Sequence, residues 1–156
     1  MFDSNRGWTA GGGAPDLGAG SDAQCNKILN VAIAMTDVLF AAIDHVQLAM
    51  PVGGEETARC FYVDVLRMIE LPKPRELAKR GGCWFQSGTV QVHLGAENDF
   101  RPAKKAHPAF RCRNYTACVA HLRGAGIDVT EVDDIPGVRR CHIHDPFGNR
   151  IELIGP

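Results

Sequence analysis

Net charge is nearly absent from this sequence: 17 Lys and Arg face 18 Asp and Glu, leaving −1. No electrostatic case follows for nucleic acid or for an anionic membrane, since both call for an excess of clustered cations. A C-x-x-C pair is also missing. The six cysteines, Cys25, Cys60, Cys83, Cys112, Cys118 and Cys141, are scattered, several at apolar positions. They read as reduced core residues of a cytoplasmic protein rather than as a disulfide framework. Nor is there an apolar run of the ~20 residues that cross a bilayer. The best candidate, Ile28–Ile43, is interrupted by Asn30, Thr36 and Asp37, and Asp3, Asp16 and Asp22 stand where an export signal needs a basic leader. Residues 1–40 therefore read as an N-terminal extension. Asp3–Ala23, rich in Gly, Ser, Asp and Ala, is expected to be disordered. Ile28–Ile43 is expected to form a short helix on the domain or on a partner subunit.

The remainder has a globular composition, with 45% hydrophobic and 22% charged residues in a chain of 156. That is one ordinary domain with room for a core. From residue 41 a pattern appears and then recurs. Alternation predicts a strand over Ile43–Met50, stopped by Pro51 and Gly53-Gly54. A helix over Glu55–Met68 follows, with acids in its first turn and an apolar stripe of Ala58, Phe61, Tyr62, Val65 and Leu66. After a Pro-rich, basic connection (Leu71–Arg80), strands are expected at Gly82–Gln86 and Thr89–Leu94. The second half restarts with a strand over His107–Arg113 and a helix from Tyr115 to Arg123, which ends at Gly124-Ala125-Gly126. A strand over Ile127–Val132 and a hairpin over Cys141–Ile154 close it. Pro146, Gly148 and Asn149 let that hairpin reverse tightly.

The expected fold class is thus α+β: two βαβββ modules, about 41–98 and 104–156, forming one curved mixed-sheet cradle. Period-two alternation puts Val46, Leu48, Val90, Val92, Leu94, Phe110, Ile151 and Leu153 under the helices. The uncovered faces then carry His45 with Gln47, His93 with Gln91, His107 with Arg111, and Glu152 with Arg150. A lone strand histidine is more often a half-buried, hydrogen-bonded residue than a ligand. These recur at matching places, however: His45 and His107 are 62 positions apart, His93 and Glu152 59. Imidazoles and a carboxylate suit a divalent ion such as Zn, Ni, Mn or Fe, and a set of two histidines and one carboxylate leaves coordination positions open. His45, His93, His107 and Glu152 are therefore the candidate metal ligands, and Glu152 and His93 the candidate proton-transfer groups. Gln47, Gln91, Arg111, Arg140, His142 and Trp84 face the same cradle as candidate substrate contacts. Trp84 alternates with Phe85, so only one of the two enters it. Arg101 stands between the modules as a candidate rim charge.

These segments resemble the vicinal oxygen chelate superfamily, which includes glyoxalases, extradiol dioxygenases, and fosfomycin- and bleomycin-resistance proteins. The resemblance covers residues 41–156. It is carried by Ile43-Asp44-His45-Val46-Gln47-Leu48, by Val90-Gln91-Val92-His93-Leu94, by Ala106-His107-Pro108-Ala109-Phe110, and above all by Asp145-Pro146-Phe147-Gly148-Asn149-Arg150-Ile151-Glu152-Leu153. It implies a metal-dependent enzyme acting on a small oxygen-chelating substrate, as a lyase or isomerase, a dioxygenase or a resistance-type transferase. It implies a homodimer as well, and it places His142 where resistance enzymes of the family contact substrate. His93 departs from the glyoxalase pattern, which has glutamate there, and so argues against lactoylglutathione lyase activity. The alternative implied by the same resemblance is a metal-free protein that sequesters a small compound such as a drug.

Overall fold

The hairpin that closes the chain is tied to both halves of the fold, and the two halves share one topology. The computed structural model describes residues 39–156, so the expectations for residues 1–38 lie outside it. The first module runs β1 (Val46–Pro51), α1 (Glu55–Arg59), β2 (Ile69–Leu71), a short α2 (Arg75–Ala78), β3 (Cys83–Ser87) and β4 (Val90–Glu97). The second runs β5 (Ala109–Arg111), α3 (Tyr115–Gly124), β6 (Thr130–Val132), β7 (Arg140–His144) and β8 (Arg150–Ile154). Each module forms a four-stranded sheet of the same order, β1-β4-β3-β2 and β5-β8-β7-β6. In each, the first and last strands are parallel and the other pairs antiparallel. The two modules are thus βαβββ units in an α+β fold, as expected. His45 and His107 lie just before their strands rather than inside them.

One face of each sheet is apolar and buried. Met50, Phe85, Val92 and Leu94 of the first sheet, and Cys141, Ile143, Ile151 and Leu153 of the second, are at most 5% exposed. Tyr62 from the first module stacks on Phe85 at 5.0 Å. The expected helix over Glu55–Met68 is not uniformly α: beyond Arg59 the chain widens into a π-helix over Cys60–Val65. Leu66 N–H donates to Phe61 O at 2.8 Å and Met68 N–H to Tyr62 O at 2.9 Å. The consecutive rings of Phe61 and Tyr62 are both in the core, three and four positions after buried Ala58. The helix ends on Arg67, with φ of 56°. Its side chain is tied to His121 of α3 at 3.3 Å, and His121 Nε2–H donates to Val65 O at 2.8 Å.

Gly82 is the tightest of the glycines among the described residues. Its φ is +84°, and a Cβ there would lie 2.1 Å from Leu94 O. Gly126 has φ of +78° but open space around it. Gly126→Ala should therefore cost only the left-handed penalty, about 1 kcal/mol, and Gly82→Ala at least about 2–3 kcal/mol. Urea midpoints of the two variants measure the difference, and equal losses would contradict it.

Candidate metal and ligand site

On the open face of the second sheet, register does the positioning. Ala109 pairs with Glu152 and His142 pairs with Glu152, so β5 and β7 flank the carboxylate of β8. His107, two residues ahead of Ala109, reaches the same point. Ligand atoms of His107, His142 and Glu152 lie within 4.8 Å of one another. His107 Nδ1 is 2.6 Å from Lys105 O, and a carbonyl oxygen only accepts, so this nitrogen carries the proton. In the neutral ring Nε2 is then a bare lone pair, and it points at Glu152 Oε2 from 3.2 Å. Two acceptors in contact need a positive charge on or between them. His142 Nε2 is buried with no hydrogen-bond partner, and its ring meets that of His107 edge-on at 5.2 Å. Burial lowers the His142 pKa, with Glu152 working in the opposite direction. Two imidazoles, one already oriented through its other nitrogen, and a carboxylate fit a first-row divalent ion.

The second oxygen of Glu152 is occupied. Arg140 Nη1 donates to Oε1 at 2.7 Å, while Nε and Nη2 grip Asp134 at 2.6 to 3.0 Å. This hydrogen bond holds the buried Glu152 carboxyl below the usual carboxylate range. Glu152 thus offers one oxygen, always ionised at neutral pH. Asp134 lies in the loop before β7, and no spacing in the sequence pointed to it.

The first sheet builds something different at the equivalent positions. Trp84 pairs with His93 as His142 does with Glu152. His93 is sandwiched between two rings: His45 at 4.0 Å and 21°, Trp84 at 4.2 Å and 10°. His45 Nδ1 contacts Asp44 Oδ1 at 2.7 Å. Burial, with His45 beside it, pulls the His93 pKa below its ordinary value, so the ring is neutral near pH 7. These residues line a cleft of about 760 Å³, with Gln47 and Gln91 also on its wall. Of the alternating pair, Trp84 enters this cleft and Phe85 is in the core.

The four expected ligands therefore fall into two groups. His107 and Glu152 meet, joined by His142; His45 and His93 stack together on the other sheet and are not part of that cluster. Arg140 binds Glu152 instead of presenting a free guanidinium. Arg111 donates to Gly155 O at 3.2 Å. Arg101 and Gln47 line a smaller hollow of about 380 Å³ beside His107, where the modules adjoin.

The family model of the Glyoxalase/Bleomycin resistance protein/Dioxygenase superfamily matches residues 42–153. The chain belongs to this superfamily. Among solved structures it is similar to a glyoxalase family protein from Bacillus anthracis, with 49% identity, a TM-score of 0.72, and coverage of 74% of this chain and 95% of that one. TnmS3, an antibiotic binding protein from Streptomyces sp. CB03234, is 25% identical with a TM-score of 0.57, over 75% of this chain and 99% of that one. Lactoylglutathione lyase from Agrobacterium tumefaciens, at 20% identity and a TM-score of 0.59 over 75% of this chain and 95% of that one, shares the fold. Comparison with curated proteins finds no match. Superfamily membership accounts for the paired modules. Among the described residues no helix is long and apolar enough to cross a membrane.

Proposed function

We propose that this superfamily member is a divalent-metal-dependent enzyme acting on a small oxygen-bearing substrate, with the ion held by His107, His142 and Glu152. The clustering of those three groups, with ligand atoms within 4.8 Å of one another, is the observation that supports it. A bound ion would polarise substrate oxygens as a Lewis acid. The chain's own residues supply the rest. Arg140 fixes Glu152 as a one-oxygen ligand and depresses its basicity, which makes Glu152 a poor proton acceptor. The neutral, desolvated imidazole of His93 is the better one. His45 and His93 stack on each other outside the donor cluster. A two-fold homodimer would give them a role in a shared site, and light scattering would read its mass. The protein is taken to work in the cytoplasm.

The Arg140–Glu152 pair favours a second reading. A guanidinium at 2.7 Å, shared with Asp134, already pairs with the buried carboxylate without any ion. A metal-free protein that sequesters a small compound is built on that pair. Metal analysis of protein purified without a His-tag separates the two. One equivalent of ion per chain is expected, removable by chelation and restored by anaerobic addition of Fe²⁺, Mn²⁺, Ni²⁺ or Zn²⁺. Turnover of hemithioacetals, catechols or fosfomycin by the restored protein then sets the reaction class. Absence of stoichiometric metal under all four reconstitutions would leave sequestration.

A further inference from the structure

The cleft over the first sheet carries charge that the donor cluster does not use. Lys73 is half-buried in its wall, and its ammonium donates to the carbonyls of Gly81 and Gly82. It has no carboxylate partner among the described residues, and neither has Arg80 on the same rim. Asp44 is the only acid on the lining, and it is engaged by His45. A half-buried cation is costly unless it is matched. The third N–H of Lys73 and the whole Arg80 guanidinium remain for a ligand.

The rest of the lining suits such a ligand. Leu71, Leu77 and the Trp84 indole give the cleft an apolar wall. Its 760 Å³ is within the ordinary range for a small-molecule site.

We propose that this cleft binds a small organic anion: an apolar body against Leu71, Leu77 and Trp84, with its carboxylate or phosphonate head on Lys73 and Arg80. It rests on the open sheet faces being ligand-binding surfaces, and it needs no metal. The full chain has two tryptophans, Trp8 and Trp84, so a Trp8→Phe background makes Trp84 the sole reporter. Chelator-stripped protein is titrated with benzoate and with phenylphosphonate, and with benzyl alcohol as the uncharged control. Saturable emission change is expected for both anions, with at least tenfold weaker binding of benzyl alcohol. Lys73→Ala and Arg80→Ala should each raise Kd about tenfold; Arg80, being exposed, is the variant whose folding is not at issue. Equal binding of benzyl alcohol, or unchanged anion affinity in both variants, overturns the proposal. So does binding that appears only when Zn²⁺ or Mn²⁺ is added, although the enzyme reading would then stand. Anion binding by protein that never takes up metal would sink the enzyme reading and leave this one intact.

Discussion

Asp145→Ala is expected to destabilise the protein by about 3–5 kcal/mol, the largest loss from any single polar residue in the closing hairpin. Asp145 is 4% exposed, and its two oxygens accept four hydrogen bonds. Oδ1 takes the backbone N–H of Phe147 at 2.9 Å and of Asn149 at 2.8 Å. Oδ2 takes the Tyr62 hydroxyl at 3.0 Å and Asn149 Nδ2 at 2.8 Å. Asn149 Nδ2 donates in turn to Ala49 O of β1 at 2.8 Å. One carboxylate therefore closes the β7–β8 turn and fastens it to the helix and first strand of the other module. Burial, with Asp145 alongside, drives the Tyr62 phenol well above its ordinary pKa, so it stays a donor. Removing the carboxylate leaves the buried Tyr62 hydroxyl and the backbone N–H of Asn149 without their acceptor, each a desolvation penalty, while Asn149 Nδ2 keeps only Ala49 O. Tyr62→Phe removes one donor and leaves the carboxylate three bonds, so it should cost only about 1–2 kcal/mol. Urea denaturation with unchanged m-values measures both. A loss below about 1 kcal/mol for Asp145→Ala would show that the hairpin is held by its apolar strands alone.

That network shows where reading the sequence stops. Pro146, Gly148 and Asn149 announce a tight turn because their backbone preferences are local, and Gly148 does adopt φ of +87°. The carboxylate's reach to Tyr62 spans 83 positions, a separation over which no local preference or hydrophobic period carries information. The same contrast runs through the candidate site. Strand alternation is a two-residue rule, so the open faces carrying His93, Trp84, His142 and Glu152 were legible. The repeat offset matched His45 with His107 and His93 with Glu152, which placed all four on open faces without saying which of them meet. Which residues on those faces touch is a matter of register between strands, and register is set by turn lengths and bulk packing. That is why His142 emerges as the third member of the cluster while His45 is stacked on His93. Arg140 was visible as a charge on the correct face. Its capture by Asp134 and Glu152 was not, since the loop that brings Asp134 back carries no periodic signal. Lys73 and Arg80 stood in a Pro-rich, basic connection, and the fold brings them to the cleft that Trp84 also lines.

His107→Ala, His142→Ala and Glu152→Gln should each weaken metal binding about 100-fold or more, whereas His45→Ala should leave it within a few-fold. The first three remove a donor from a cluster whose atoms lie within 4.8 Å, and His45 belongs to a separate stack. The alanine variant at His142 is the sharpest of the set, because its Nε2 satisfies no other group in the fold. Its deletion costs little stability and isolates the loss of the ligand. Glu152→Gln keeps shape but discards the charge that pairs with both Arg140 and an ion. Its folding should therefore be checked by Asp134→Asn, which loosens Arg140 without touching a donor. Competition against a chromophoric chelator gives the affinities, and Co²⁺ substitution gives a ligand-field spectrum that should change in His142→Ala and not in His45→Ala. If His45→Ala instead abolishes binding while His142→Ala is silent, the ion sits where the two sheets cooperate across copies of the chain, and Arg140 rather than a metal is what His107 and Glu152 were built around.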